Sequence, residues 1–361
     1  MKLWVGTYTE DILFGTGKVL HGKGEGIYRL TLDPTSLRVD DIVVNKGIKN
    51  PSFLTVSADK KYLFAVNELK EYLGKASGAV SSFHIDEESG SLEFISSQPT
   101  LGTDPCHVTV NHNGTLLFVA NFMSGSVSVF PVDSNGGILP AREHIQHKGG
   151  SVCPNRQAGP HAHAVVLSPD ERFLFVPDLG IDKVLVYSIN YSSFSLEICE
   201  NLAVECISGS GPRQLVFHDY LPYAFLINEL NSTIDTFTYA SQEGKLSRTG
   251  SFSTLPSEFS GVSTCADIHI SSCGKYLFGS NRGHDSIVTY EIDGDSGLLN
   301  CKEFTSVKGR CPRNFLVKEN HILIGNQDSD AVEVFSFNDG HLEHTGMQVS
   351  VPTPVCIIEC D

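Results

Sequence analysis

No stretch of this 361-residue chain keeps apolar residues at helical spacing over a dozen positions, and 33 glycines and 16 prolines punctuate it throughout. Both facts argue against a helical fold. No run approaches the roughly 18 apolar residues of a membrane span, so no spanning helix is expected. The opening residues, Met1-Lys2-Leu3-Trp4-Val5-Gly6, run straight into a strand-like segment without the apolar core of a signal peptide, and a cytoplasmic location is expected. Basic charge is scarce: 26 Lys and Arg stand against 42 Asp and Glu, a net charge of −16. That excess argues against nucleic acid and membrane surfaces as partners. It leaves room for a small anionic substrate, because a local arginine cluster overrides the global field. None of the ten cysteines forms a Cys-x-x-Cys pair. Free thiols, mostly core filler, are expected, with neither a structural zinc nor any other metal.

What the sequence does have is short apolar runs rich in Val, Ile, Phe and Tyr, bounded by turn residues. These are strand signals. Residues 211–237 are the clearest example, with runs at 215–217, 223–227 and 234–237 separated by turns. The same pattern recurs about every 50 residues, opening at Pro51, Pro105, Pro160, Pro212, Cys265 and Pro312. A seventh copy is split: residues 354–358 read as a first strand, 3–8 as a second and 26–32 as a third. Four antiparallel strands repeated seven times predict an all-β, seven-bladed β-propeller over residues 1–361, closed by both ends of the chain in one blade.

Strand direction alternates within a blade, so the start of each first strand and the loop between second and third strands share one end of the central channel. First-strand starts carry His107, His161, His163, Arg213, Asp267 and Arg313. The second-to-third loops carry Asn67, Glu68, Asn121, Asp178, Asp182, Asn228, Glu229, Asn281, Arg282, His284, Asn326 and Asp328. A mouth holding His, Glu and several Arg suits an anionic ester or lactone. Arg grips carboxylate or phosphate and stabilises an oxyanion, while His or Glu activates water.

Plainer readings stand beside these. Asn121, Asn326 and Asp328 read as turn caps. His112, His144, His147 and His218 read as surface residues of the opposite face or outer loops. In a strand, His161 and His163 point to the same side and suit substrate contact or base chemistry better than metal ligation. Arg213 and Arg282 have an alternative as structural bridges to Glu229 or Asp267.

Four stretches carry a family resemblance: His163-Ala164-Val165-Val166-Leu167-Ser168-Pro169-Asp170 with Val176-Pro177-Asp178-Leu179 downstream; Gly211-Pro212-Arg213; Asn228-Glu229-Leu230-Asn231-Ser232; and Ala266-Asp267-Ile268-His269-Ile270 leading to Ser280-Asn281-Arg282. Over essentially its whole length the chain resembles the seven-bladed propeller lactonases, typified by cycloisomerase-type 6-phosphogluconolactonases and the fungal 3-carboxy-cis,cis-muconate lactonizing enzyme. The resemblance implies catalytic roles for His163, Glu229, Arg213 and Arg282, with His163 or Glu229 as base and the arginines on substrate and oxyanion. It implies no cofactor. His161, His107, Asn228, Asn281, Asp178 and Arg313 are the expected substrate contacts. Gln214 departs from the family's usual His, Ser263-Thr264-Cys265 lacks its usual aromatic, and the Gly-rich loop 10–24 is placed to cover or edge the site. The expected activity is opening of a sugar-acid lactone, 6-phosphogluconolactone first. A muconate-type lactonizing cycloisomerase and a non-catalytic scaffold binding protein on its rim are the alternatives. A phosphorylated substrate requires a further basic contact, for which Arg313, Lys148 and Arg156 are candidates. The oligomeric state is open, and a monomer is compatible with the sequence.

Overall fold

Runs such as Leu116–Asn121 and Tyr223–Asn228 are buried along their whole length, not on alternate residues. Strands covered on both faces read this way. The computed structural model of the chain describes residues 1–13, 17, 19–33 and 35–360. These form seven antiparallel sheets of four strands, one of which also pairs the short strand Val204–Glu205. The first strands of most successive sheets contact one another around the channel. The fourth strands, such as Val39–Lys46 and Lys245–Ser253, lie half exposed at the rim. Among the described residues the only helices are two three-residue 3-10 turns, and no helix is long and apolar enough to cross a membrane.

Residues 211–237 supply three strands, Pro212–Phe217, Tyr223–Asn228 and Thr233–Ala240, and Lys245–Ser253 completes that blade. In the closing blade the order is Pro354–Glu359, Lys2–Thr7, Gly26–Leu32, Val39–Lys46. Trp4 stands opposite Ile358 there, and Val5 opposite Ile357. The seven-bladed fold and its closure by both ends of the chain are thus as the sequence indicates.

Core lies between blades. Phe225 and Ile227 meet Ile268, Leu277 and Val288 of the next blade, and Leu3, Val5 and Leu30 meet Leu323, Val332 and Val334 of the preceding one. Each such side chain contributes roughly 1.5–3 kcal/mol on burial. Only Cys106, Cys265 and Cys356 of the ten free cysteines are buried, so filling the core is the exception among them and not the rule.

Two local devices shape the mouth. The first is a bulge near the start of first strands. Pro212 pairs with Asn228 and Gln214 with Ile227, leaving Arg213 as the extra residue. Cys106 and Arg313 are extra in the same way, and one of Ala266 and Asp267 in a third blade. A bulge bends its strand and re-aims the extra side chain. The second device is the polar residue closing each second strand. Buried Asn67, Asn121, Asn281 and Asn326 donate to the carbonyls of Lys49, Thr100, Thr254 and Val307, tying each second strand to the segment that leads into its own blade.

Candidate active site

Glu229 follows directly on Tyr223–Asn228, and its backbone is clamped on both sides. Its N–H donates to Gly211 O at 2.7 Å, and its carbonyl accepts from Cys265 N at 3.2 Å. The residue is 4% exposed. Three guanidinium groups surround the carboxylate: Arg156 Nη2 at 2.5 Å from Oε1, with Arg282 Nη2 at 2.9 Å and Arg213 Nε at 3.2 Å from Oε2. Burial by itself would raise the Glu229 carboxyl, but Arg282, Arg156 and Arg213 hold it well below the usual carboxylate range. Burial and neighbouring Arg282 bring Arg213 down to about 10. Arg213 also donates to Ala266 O, and Arg282 to Cys265 O at 2.8 Å.

His163 sets its Nε2 4.0 Å from Glu229 Oε2. It is buried, with Phe122 edge-on at 5.3 Å and its Nδ1 4.0 Å from Cys106 Sγ. Burial, then the charge of Arg213, keep its basicity well below that of a free imidazole, against the pull of Glu229. The ring is neutral at neutral pH and able to accept a proton. Buried His107 packs on Phe53 at 4.1 Å, accepts from Val165 N and meets Gln214; burial is the main cause that brings it down to about 3.

His107, His163, Arg213, Gln214, Asp267 and Arg313 line one cavity, together with Ser52, Asn314 and others. Asp267 is fully engaged with protein: it accepts from Asn314 Nδ2 at 2.5 Å, His269 Nε2 at 2.9 Å and the backbone N–H groups of Ile268 and Phe315. Asn314 in turn accepts from Ile357 N. Among the described residues, no group of three His, Cys, Asp or Glu side chains is placed to hold a metal ion.

The family model for seven-bladed β-propeller lactonases matches residues 2–359. The chain belongs to that family. The 6-phosphogluconolactonase of Bacillus subtilis is 29% identical over 98% of this chain and 97% of its own length. That of Formosa agariphila is 31% identical over 86% of this chain and 88% of its own. The periplasmic gluconolactonase of Pseudomonas aeruginosa superposes with a TM-score of 0.90 at 34% identity, covering 99% of this chain and 98% of its own.

In this member of the lactonase family, several expected substrate contacts are turned elsewhere. Asp178 is buried and accepts from His161 N at 2.6 Å and Gly180 N at 3.0 Å, with His147 Nδ1 at 2.6 Å. Asn228 donates to Thr233 Oγ1 at 3.0 Å. Asn281 donates to Thr254 O at 2.7 Å and accepts from Thr254 Oγ1 at 2.8 Å. Asp178 and Asn228 close their second strands, Asn281 stands one residue before the end of its own, and all three make hydrogen bonds to protein groups. Asn281→Ala is accordingly expected to cost about 1–3 kcal/mol of unfolding free energy, leaving the Thr254 carbonyl buried and unpaired, without altering KM. Denaturant titration beside kinetics checks this.

His161 stacks on Phe122 and contacts its carbonyl at 2.9 Å, outside the cavity lined by His163. The same-side rule fails because the first strand of that blade is only Val166–Leu167, so neither histidine lies in a strand. His147 and His218 are buried and not surface residues, bound to Asp178 and to Gly274 O respectively. Lys148 is exposed.

Part of the loop 10–24 reaches a residue that lines the cavity. Ile12 of its hairpin packs with Tyr8 and Val355, and Val355 lines the cavity. Residues 14–16 and 18 of that loop lie outside the described residues. Glu68 stands among the mouth residues of the sequence, whereas Tyr8 does not, although it follows a second strand just as Glu68 and Glu229 do. That shared place in the repeat is the signal that finds it.

Proposed function

We propose that the protein hydrolyses an anionic sugar-acid lactone, with 6-phosphogluconolactone as its substrate. The observation carrying this reading is Glu229, buried and ionised among three arginines, beside a neutral His163 in a polar cavity. Water attacks the lactone carbonyl while His163 Nε2 accepts its proton. Arg213 and Arg282 stabilise the oxyanion of the tetrahedral intermediate. Collapse expels the ring oxygen, which takes the proton back from His163, and the product is the open hydroxy acid. Glu229 steadies the transient imidazolium. A carboxylate held so far into its ionised form is a poor base at neutral pH, which favours His163 for that role. The names of the Bacillus and Formosa relatives support the phosphorylated substrate. Free cysteines support a reducing, cytoplasmic compartment, although the Pseudomonas relative is periplasmic by name.

The test is acid release from freshly prepared 6-phosphogluconolactone. Wild-type protein should turn it over well above the spontaneous rate, and Arg213→Ala should lower kcat/KM about 100-fold. Wild-type turnover at the spontaneous rate removes this substrate.

A further inference from the structure

Every other polar side chain named above as lining the cavity is bound to a protein group; Ser52 and Arg313 are not. Ser52 is 4% exposed, and its hydroxyl has no hydrogen-bond partner among the described residues. Arg313, the extra residue of its bulge, makes no ion pair among the described residues. Its guanidinium lies over the ring of Tyr8 at 5.3 Å. The Tyr8 hydroxyl donates to the Glu68 carboxylate, at 2.9 Å to the nearer oxygen. Tyr8 and Glu68 are both buried, so the support beneath the guanidinium is fixed. This arrangement differs from that of Arg156, Arg213 and Arg282, which all converge on Glu229. Burial opposes the charge on Arg313, but Tyr8 and Glu68 more than offset it, so it stays cationic.

A half-buried cation without an ion-pair partner among the described residues, beside an orphaned hydroxyl in the same cavity, suits an anion. A guanidinium fork and a hydroxyl match the oxygens of a phosphate. We propose that Arg313 and Ser52 form the subsite for the substrate's phosphate, with Tyr8 and Glu68 as positioning residues for Arg313. This rests on the lactonase reading above and adds to it a selection rule. Binding at the phosphate end orients the ring, so that the ester carbonyl meets His163 and Arg213.

The experiment compares kcat/KM for 6-phosphogluconolactone and for glucono-δ-lactone, its unphosphorylated counterpart. Wild-type protein should prefer the phosphorylated lactone, and Arg313→Gln should lower the ratio of the two values about 100-fold. Arg313→Lys should restore part of the ratio, and Ser52→Ala should lower it severalfold. His163→Gln should depress both values and leave the ratio. Tyr8→Phe should raise KM for the phosphorylated lactone with kcat retained, a split that general loss of structure does not produce. Should Arg313→Gln fail to fold, Arg313→Lys and Ser52→Ala carry the comparison. Equal use of both lactones by wild type, or an unchanged ratio in Arg313→Gln, overturns the subsite while the lactonase reading stands. Hydrolysis of neither lactone overturns the lactonase reading. Calorimetry with inorganic phosphate then decides the subsite alone: binding by wild type and not by Arg313→Gln supports it, and any other pattern overturns it.

Discussion

Glu229→Gln is expected to lower kcat/KM about 10³-fold and to lower unfolding free energy at pH 7.5 by about 3–5 kcal/mol. The amide is nearly the same size as the carboxylate, so neither loss comes from packing. Removing the charge leaves Arg156, Arg213 and Arg282 crowded around a neutral group in a buried site. Buried clusters lose more from the removal of one partner than the intact cluster contributes. Arg213 and Arg282 also lose their anchor, and with it, in the proposed mechanism, the aim of their donors at the oxyanion. The sign of the pH effect follows from the depressed carboxyl. Its folded value lies below its unfolded value near 4.5, so its stabilising contribution is complete above about pH 4.5 and is lost as pH falls through the folded value. The stability gap between wild type and Glu229→Gln should therefore be full at pH 7 and close only in strong acid. Urea titrations at several pH values measure it. A Gln variant as stable and active as wild type would show the arginine cluster to be incidental.

The repeat, the blade count and the split blade were legible because strand and turn signals are local, and a closed ring follows from four strands repeated seven times. The convergence of His163, Arg213, Glu229 and Arg282 was legible for the same reason, since strand direction alone assigns loops to one mouth. What escaped depends on pairs of residues far apart in the chain. Arg156 reaches Glu229 across 73 positions, and no pattern along the chain marks that pair. His147 reads as a loop residue until Asp178 is found beneath it. Asp178, Asn228 and Asn281 have the residue types of a binding site in the right place. A buried strand end, however, needs those same donors and acceptors for its own backbone and neighbours. The bulge is the most instructive case. One extra residue in the register lets Arg213 and Arg313 line the cavity beside their neighbours Gln214 and Asn314.

The pH dependence separates the two bases that the site offers. With His163 as base, kcat/KM should stay level from pH 8 down past the ordinary imidazole range, once spontaneous hydrolysis is subtracted. It should then fall along an acid limb whose apparent pKa lies below 6.5, because burial and Arg213 disfavour the imidazolium. His163→Gln should lower kcat by about 10²–10⁴-fold and abolish that limb, since the residual reaction no longer needs a group to be deprotonated there. With Glu229 as base the limb would sit below 4.5 and would survive in His163→Gln. A limb at or above 6.5 would contradict the burial of His163 instead. The nearby thiol of Cys106 offers no third choice, because burial pushes its ionisation far above the ordinary thiol range. The lowered His163 has a cost and an advantage. It is a weaker base than a free imidazole, but it is almost wholly in its proton-accepting form at neutral pH, and Glu229 4.0 Å away stabilises the charge only once the proton has arrived. That differential interaction, absent before proton transfer and present after it, is the kind that lowers a barrier and not merely a binding constant.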